Sequence, residues 1–284
     1  MHSYLNLTFY GEAYKMISNN EKIVGIIQAR MGSTRLPKKV LREVKGKPLL
    51  QYMLERVSKS KYLNQIVIAT TTNPADDIIE LFARQTGYPV YRGSESDVLD
   101  RFYKTAIQFK ADIIVRFCSD CPIIDPAVVD KIIGIFLANK AKIALVCNKM
   151  PFTYPDGFDT EVCSLTTLEY VWQRAQSSYD KEHVFTFLYR NPELFPIINV
   201  EFEGGDLFHT HRFTLDYEAD FHCIKAVIDN LYGNNPLFGL YDILKLTQLK
   251  PQILELNKIH LPDKAVRLAI DPGHSPPDNR IKCL

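Results

Sequence analysis

The feature that most restricts the fold of this chain is a continuous apolar run that passes directly into a cationic loop. The run, Ile23–Ile27, is typical of a central parallel strand covered on both faces. The loop that follows contains Arg30, Gly32, Ser33, Thr34, Arg35, Lys38 and Lys39. Cations at the carboxyl end of a strand lie where α/β proteins bind ligands, which predicts an anion site. The alternative is a basic surface loop after an edge strand.

The composition of this loop suits a triphosphate. Gly32 allows the backbone to approach a ligand closely, and N–H groups in such a turn form an anion-binding concavity. Arginine and lysine side chains then neutralise the remaining charge. The loop contains neither G-x-x-x-x-G-K-[ST] nor G-x-G-x-x-G, which excludes a P-loop and a typical dinucleotide site.

Strand-like and helix-like segments alternate along the chain. Further strands are predicted at Gln65–Ala69, Pro89–Tyr91, Ile113–Val115 and Ile143–Val146. Helices are predicted at Pro48–Ser60, Asn73–Thr86, Asp97–Phe109, from Pro126 onward and at Ala219–Leu231. This alternation predicts an α/β fold with a doubly wound, mostly parallel sheet. Leu207–Asp216 is predicted to return to that sheet.

The length and charge of the chain indicate one large domain without a polyanionic partner. The predicted parts are an N-terminal extension (1–21), a single domain (22–260) and an irregular tail (261–284). The domain is divided into a nucleotide half (22–149), an acceptor region (150–206) and a return to the sheet with C-terminal helices (207–260). The net charge of +1 gives no support for a nucleic-acid or membrane-surface partner. No apolar run reaches the ~18 residues of a membrane span.

Two aspartates follow predicted strands that are far apart in the sequence. Asp120 lies just past Ile113–Val115, and Asp216 ends Phe213–Asp216, which is predicted to be a short strand. A Mg²⁺ ion is commonly held by one or two carboxylates together with phosphate oxygens. The pair therefore predicts a magnesium site beside the cationic loop. The alternative is that each aspartate caps the segment that follows it.

Cysteines and histidines give weaker signals. Cys118 and Cys121 form a C-x-x-C pair, but no second pair accompanies it. We predict that the six cysteines are free thiols in a reducing cytoplasm. His209 and His211 alternate on the predicted strand before Asp216, where no third ligand for a transition metal is evident. We predict that this strand faces solvent.

Three motifs resemble those of one enzyme family. Q-A-R-M-G-S-T-R-L-P-x-K resembles the first motif of the cytidylyltransferases that make CMP-activated sugar acids. The closest resemblance is to the branch named after spore coat polysaccharide biosynthesis protein F, which is similar to CMP-Kdo synthetase. V-R-x-x-x-D-C-P and T-L-D-x-x-x-D resemble the metal-binding motifs, although Ser119 stands where glycine is expected. The resemblance covers Ile23 to about His260 and implies a Rossmann-like nucleotidyltransferase fold, similar to glycosyltransferase-A enzymes, with a small substrate and dimerisation insertion.

The resemblance implies a set of nucleotide-binding residues. They are Gln28, Ala29, Arg30, Gly32, Ser33, Thr34, Arg35, Lys39, Thr72, Ser94 and Arg116. The implied catalytic residues are Arg30, Arg35, Lys39 and Asp120, and the implied metal ligands are Asp120 and Asp216. Ser94 is the predicted base contact within R-G-S-E-x-D-V-L-D-R, Arg92–Arg101. Arg116 is predicted to contact the base or a phosphate, and a structural ion pair is its alternative.

An acceptor pocket is implied by T-Y-P-D-G-x-D-x-E-V and by a later helix. The predicted substrate-binding residues are Tyr154, Asp159, Glu161, Glu182 and His183. Asp159 and Glu161 are predicted to alternate on one face of a strand. The segment Asp180–Val184 is predicted to open a helix, with Lys181 where the family has arginine. The alternatives are a helix-dipole role for Glu182 and a core position for His183.

The resemblance implies transfer of CMP from CTP to a sugar acid or related small acceptor, with release of pyrophosphate. Mg²⁺ would be the cofactor, the protein would be a homodimer, and the product would serve surface polysaccharide or glycoconjugate biosynthesis. Two alternatives stay open from the residues. One is a glycosyltransferase that consumes a nucleotide sugar, and the other is a non-catalytic nucleotide-binding subunit.

Overall fold

The computed structural model describes residues 21–263. The predicted extension and tail lie almost wholly outside these residues. The strands are β1 (Ile23–Gln28), β2 (Glu43–Val44), β3 (Lys47–Pro48), β4 (Gln65–Thr71), β5 (Val90–Gly93), β6 (Ile113–Cys118), β7 (Leu145–Cys147), β8 (Glu161–Ser164) and β9 (Ile197–Asn199). The helices are α1 (Leu49–Val57), α2 (Asp77–Thr86), α3 (Val98–Gln108), α4 (Pro126–Asn139), α5 (Leu165–Arg174), α6 (Ser178–His183), α7 (Thr186–Tyr189), α8 (Glu218–Leu231), α9 (Leu240–Leu249) and α10 (Gln252–Glu255).

Seven strands form one sheet in the order β5–β4–β1–β6–β8–β7–β9. β1 pairs in parallel with β4 and β6, β4 with β5, and β7 with β9. β8 runs antiparallel to both of its neighbours, β6 and β7. The predicted α/β class with a doubly wound, mostly parallel sheet is therefore confirmed. The region 150–206 supplies β8 and β9, so it is continuous with the main sheet.

The apolar run at β1 is explained by cover on both faces of the sheet. Ile23 and Ile27 pack into one hydrophobic cluster, with buried residues of α1, α2, α4 and α8. Val24 and Ile26 point to the opposite face and pack with residues of α3, α5 and α7. A strand in this position needs apolar side chains at successive positions, because neither face meets water.

The order of the strands creates a crevice beside β1. The chain proceeds from β1 to β4 and β5 on one side and then crosses to β6 on the other side. Ligands bind at such a switch point, outside the carboxyl ends of the strands. The cationic loop follows β1, and Asp120 follows β6, so both reach the same crevice.

The prediction that Leu207–Asp216 returns to the sheet is wrong. Within the described residues this segment contains an isolated bridge between Arg212 and Asp156 rather than a strand. The Phe213 N–H donates to the Asp156 carbonyl at 2.7 Å. Because the backbone groups of this segment pair with a turn instead of a neighbouring strand, the segment does not join the sheet.

Two other predictions in this part of the chain are also wrong. His209 lies in a turn and His211 just after it, and both are half-buried, so neither is on a solvent-facing strand. β8 begins at Glu161, so Asp159 precedes the strand instead of sharing its face.

The helix predicted to open at Asp180–Val184 in fact ends there. It spans Ser178–His183, and the Ser177 hydroxyl caps it by accepting from the Asp180 N–H at 3.1 Å. Val184 has φ 54° and ψ −61°, which lie outside the right-handed helical region and terminate the helix. The N-cap, Ser177, therefore lies three residues before Asp180, where the helix was predicted to open.

Gly157 allows the turn before β8 to pack directly on the backbone of 213–214. It has φ +108°. A Cβ atom at this position would lie 2.6 Å from the Phe213 carbonyl carbon and 2.7 Å from the Thr214 nitrogen. We expect Gly157→Ala to lower the free energy of unfolding by about 2 kcal/mol or more, because it adds a backbone overlap to the conformational strain. Urea denaturation measures this change.

Gly46→Ala is the matched control. Gly46 also has positive φ, +72°, but a Cβ atom there would meet nothing within 4 Å. It should therefore show the conformational strain alone, about 1 kcal/mol. Equal losses in the two variants would contradict the close backbone packing at Gly157.

Candidate active site

A cleft of about 500 Å³ opens at the carboxyl ends of β1 and β6. It is lined by Gln28, Ala29, Arg30, Gly32, Ser33, Thr34, Arg35, Lys39, Val98, Arg101, Cys118, Ser119, Asp120, Glu182, Asp216 and Tyr217. The predicted residues from Gln28 to Lys39, the two aspartates and Glu182 therefore meet in one cavity.

Two buried side chains hold the cationic loop over this cleft. Met31 and Leu36 are 8% and 6% exposed and belong to the core. The Met31 N–H donates to Asp76 Oδ1 at 2.7 Å, and the Leu36 N–H donates to Ser33 Oγ at 3.3 Å. With its ends anchored in this way, the short segment between Met31 and Leu36 is presented to the cleft.

The Lys39 ammonium lies between the two predicted metal ligands. Its Nζ atom is 3.0 Å from Asp120 Oδ2 and 3.0 Å from Asp216 Oδ1. Arg35 Nη2 lies 2.8 Å from the same Asp216 oxygen. The four side chains are partly or wholly buried, and the two carboxylates converge on one cationic position.

Asp216 remains ionised in this environment. Burial alone would raise its pKa, but the positive charges of Lys39, Arg35 and Arg212 outweigh burial and hold the pKa below its ordinary value. The carboxylate is thus available as an anionic ligand at neutral pH.

The backbone explains how residues so far apart in sequence meet. The Leu215 N–H donates to the Asp120 carbonyl at 2.9 Å, and the Thr214 hydroxyl donates to the same oxygen at 3.4 Å. The extended segment before Asp216 is therefore attached directly to the loop that carries Asp120.

A second group of charges is buried behind the cleft. Arg116 donates to the Glu161 carboxylate and, through Nε and Nη2, to Gln28 Oε1 at 3.3 and 3.2 Å. Lys149 Nζ lies 3.6 Å from both Asp159 Oδ2 and Glu161 Oε2. Burial raises the pKa of Glu161, but Lys149 and Arg116 outweigh it and lower the pKa. Arg116 thus forms the ion pair that was the alternative to a nucleotide contact, and Gln28 connects it to the cleft wall.

Besides Arg116, Asp159 and Glu161, four further predicted residues lie outside the cleft lining. Thr72 is exposed, and its N–H donates to the Gly93 carbonyl at 2.9 Å. The Ser94 hydroxyl accepts from the Asp97 N–H at 3.0 Å. Tyr154 is buried in the core.

His183 is the fourth of these residues. It is buried against Tyr179, with ring centroids 4.4 Å apart. Burial lowers its pKa to about 4, and the positive charges of Arg116 and Lys149 add to this effect. The imidazole is therefore neutral at physiological pH, which agrees with the core position considered as its alternative.

The sequence prediction missed several residues of the cleft. Val98, Arg101, Cys118, Ser119 and Tyr217 all line it. Arg101 ends the motif R-G-S-E-x-D-V-L-D-R, so its position in a motif was a usable signal. Its guanidinium donates to the Ser94 carbonyl. Tyr217 follows Asp216 directly, and its ring lies 5.1 Å from the Arg35 guanidinium carbon.

Comparison with known families identifies the class of this protein. A family model described as cytidylyltransferase matches residues 24–258. The chain belongs to the cytidylyltransferase family. It is therefore a nucleotidyltransferase enzyme, and the predicted family resemblance is confirmed. This membership favours nucleotidyl transfer over the glycosyltransferase and the non-catalytic subunit.

Individual relatives of this cytidylyltransferase agree with the assignment. It is 33% identical over 235 residues to the spore coat polysaccharide biosynthesis protein SpsF of Bacillus subtilis, covering 81% of this chain and 95% of that protein. It is 41% identical over 107 residues to a 3-deoxy-manno-octulosonate cytidylyltransferase of Acidobacterium capsulatum, covering 37% of this chain and 42% of that protein. The solved structure of a cytidylyltransferase from Leptospira borgpetersenii superposes with a TM-score of 0.78 at 33% identity, covering 83% of this chain and 97% of that chain.

Among residues 21–263, no helix combines the length and apolar character that crossing a membrane requires.

Proposed function

We propose that this cytidylyltransferase transfers CMP from CTP to a sugar acid or related small acceptor in a Mg²⁺-dependent reaction that releases pyrophosphate. One observation carries the proposal: the cationic loop and two acidic side chains converge in a single cleft, with Lys39 3.0 Å from both Asp120 and Asp216. The names of the two relatives support an acceptor of the sugar-acid class and a role in surface polysaccharide or glycoconjugate biosynthesis.

The donor set fits a magnesium ion. The Lys39 ammonium lies 3.0 Å from an oxygen of each carboxylate, which supports a cation position between them. Within the part of the chain that the structure describes, no cluster of three or more His, Cys, Asp or Glu side chains is arranged to hold a metal. Mg²⁺ characteristically takes one or two carboxylates and completes its shell with phosphate oxygens and water. Asp120 and Asp216 would hold the ion, which supplies charge stabilisation at the phosphates when bound.

In this reaction the cationic side chains of the cleft stabilise charge on the phosphates. The acceptor hydroxyl oxygen attacks the α-phosphorus of CTP in line and gives up its proton to solvent. A P–O bond to the acceptor forms, and the bond between the α-phosphorus and the oxygen that bridges to the β-phosphate breaks to release pyrophosphate. Arg30, Arg35 and Lys39 stabilise the charge that accumulates on the leaving phosphates. Such a reaction depends mainly on positioning and electrostatic stabilisation and needs no covalent enzyme nucleophile.

The acceptor side of the cleft has one half-buried acidic residue and a buried group behind it. Glu182 lines the cleft, and we propose that it contacts acceptor hydroxyls directly. Asp159 and Glu161 are nearly fully buried beside Lys149 and Arg116. We propose that these two carboxylates, with Tyr154 and His183, support the pocket from behind.

Two further properties belong to this proposal. The thiols of Cys121, Cys147, Cys163 and Cys223 are free and buried, which suits a reducing compartment, and we place the enzyme in the cytoplasm. We also propose that it acts as a homodimer, which sedimentation of the full-length protein would test. A monomer at assay concentrations would contradict this part.

The reaction is tested by incubating the purified full-length protein with Mg²⁺, each of the four ribonucleoside triphosphates and a panel of sugar acids. We expect pyrophosphate release with CTP and at least one acceptor, and none when EDTA removes the metal. Reactions without acceptor give the background rate. Absence of pyrophosphate from CTP with every acceptor, together with release of a nucleoside diphosphate when a nucleotide sugar replaces the triphosphate, would overturn the proposal and favour a glycosyltransferase.

A further inference from the structure

Arg212 is a buried cation that contacts three carboxylates. It is 7% exposed and lies in the extended segment before Asp216. Its Nη1 donates to Asp156 Oδ2 at 2.6 Å, and its Nε donates to Asp220 Oδ1 at 3.0 Å. Its Nη2 donates to Asp220 Oδ2 at 3.2 Å and to Asp216 Oδ2 at 3.3 Å. The planar guanidinium is the side chain whose donors suit several fixed acceptors at once.

The two carboxylate oxygens of Asp216 have different partners, one behind the cleft and one facing it. Oδ2 accepts from Arg212 on the protein side. Oδ1 faces Lys39 and Arg35, whose nitrogens lie 3.0 and 2.8 Å away and which both line the cleft. Arg212 therefore orients the carboxylate so that one defined oxygen points towards the cleft.

Asp220 fixes the main chain at the same point. Its Oδ2 accepts from the N–H groups of Asp216 and Tyr217 at 2.9 and 3.0 Å. Asn257 Nδ2 donates to Asp220 Oδ1 at 2.8 Å and to the Arg212 carbonyl at 3.0 Å. The Arg212 guanidinium is thus bound by the Asp220 carboxylate, which is itself fixed by backbone hydrogen bonds at the start of α8.

The third partner of Arg212 belongs to the turn on the acceptor side. Asp156 lies beside Gly157, and its N–H donates to the His211 carbonyl at 3.1 Å. The Phe213 N–H donates back to the Asp156 carbonyl at 2.7 Å. Arg212 is therefore shared between the 154–157 turn and the proposed metal ligand.

We infer that Arg212 is a positioning residue that sets the orientation of Asp216 for metal binding and links it to the 154–157 turn. The inference rests on the proposed function, in which Asp216 holds the metal. Residues that orient a metal ligand typically change metal affinity or activity by about 10- to 100-fold when replaced.

Arg212→Lys tests the inference, because lysine keeps the charge but cannot reach three carboxylates from one plane. We expect the dissociation constant for Mn²⁺ in the presence of CTP, measured by electron paramagnetic resonance without acceptor, to rise by about tenfold or more. The affinity for CTP itself should change much less.

Arg56→Lys is the matched control. Arg56 is likewise buried, at 2% exposure, but its guanidinium donates to the backbone carbonyls of Ile124 and Phe238, which lie outside the cleft lining. It should lower the melting temperature and leave the Mn²⁺ affinity within about twofold of wild type. Asp220→Asn provides a second test if Arg212→Lys does not fold, since it weakens the support of the same guanidinium, and it should weaken Mn²⁺ binding.

The outcomes separate this inference from the proposed function. Wild-type Mn²⁺ affinity in folded Arg212→Lys, while Asp216→Asn binds Mn²⁺ weakly, would overturn the inference and leave the proposed function standing. Wild-type affinity in Asp216→Asn would overturn both. Weak binding in Asp216→Asn, Arg212→Lys and Asp220→Asn, but not in Arg56→Lys, would support both.

Discussion

Replacement of Asp120 by asparagine is expected to lower the turnover number roughly a hundredfold or more. The amide that replaces the carboxylate is neutral and cannot balance a cation shared with Asp216. The fold should survive, because the Asp120 backbone carbonyl still accepts from the Leu215 N–H at 2.9 Å. Pyrophosphate release at saturating CTP and metal measures the turnover, and thermal denaturation checks the fold.

Asp130→Asn is the control for this substitution. Asp130 lies on α4, accepts from the Lys61 N–H at 3.0 Å and lies outside the cleft lining. Its turnover number should stay within about twofold of wild type, since surface substitutions rarely disturb a distant site. Near-normal turnover in Asp120→Asn, with metal in excess, would remove Asp120 from the reaction centre.

Lys39→Met should slow the reaction to a comparable extent, but it should strengthen metal binding. Methionine keeps an unbranched apolar side chain but removes the cation from between Asp120 and Asp216. We expect kcat/KM for CTP to fall roughly a hundredfold or more, because the charge on the leaving phosphates loses a stabilising group. Mn²⁺ affinity measured without nucleotide should rise, since the ammonium no longer competes for the two carboxylates.

Measuring both kcat/KM and Mn²⁺ affinity distinguishes the proposed role of Lys39 from a structural one. A merely structural role for Lys39 would lower the melting temperature and weaken metal binding together. Lys142→Met removes an exposed positive charge outside the cleft lining and should change neither quantity appreciably. If Lys39→Met bound Mn²⁺ less tightly than wild type, the shared cation position would be contradicted.

Local patterns in the sequence were sufficient for much of the fold. The continuous apolar run at Ile23–Ile27 predicted a central strand, and β1 extends it by only one residue, to Gln28. A helix from Pro126 was predicted, and α4 begins at that proline. These elements depend on the periodicity of apolar residues and on caps adjacent in sequence, so a single chain segment contains the necessary information.

The errors fall where partners distant in sequence determine the structure. Leu207–Asp216 was predicted to return to the sheet, yet its backbone pairs with the Asp156 turn and with the Asp120 carbonyl. Its role as a connection that carries Asp216 to the cleft depends on these contacts, which no local pattern encodes. Arg212 was missed for the same reason, because its three carboxylate partners become neighbours only after folding.

The sequence by itself determined the class of fold, the family and the residue types of the cleft. Only the tertiary structure showed that Lys39 lies between Asp120 and Asp216, and that Glu161 and Arg116 neutralise each other behind the cleft. The physical reason is that secondary structure follows local periodicity, whereas the ionisation and orientation of a buried side chain depend on charges brought to it by other parts of the chain.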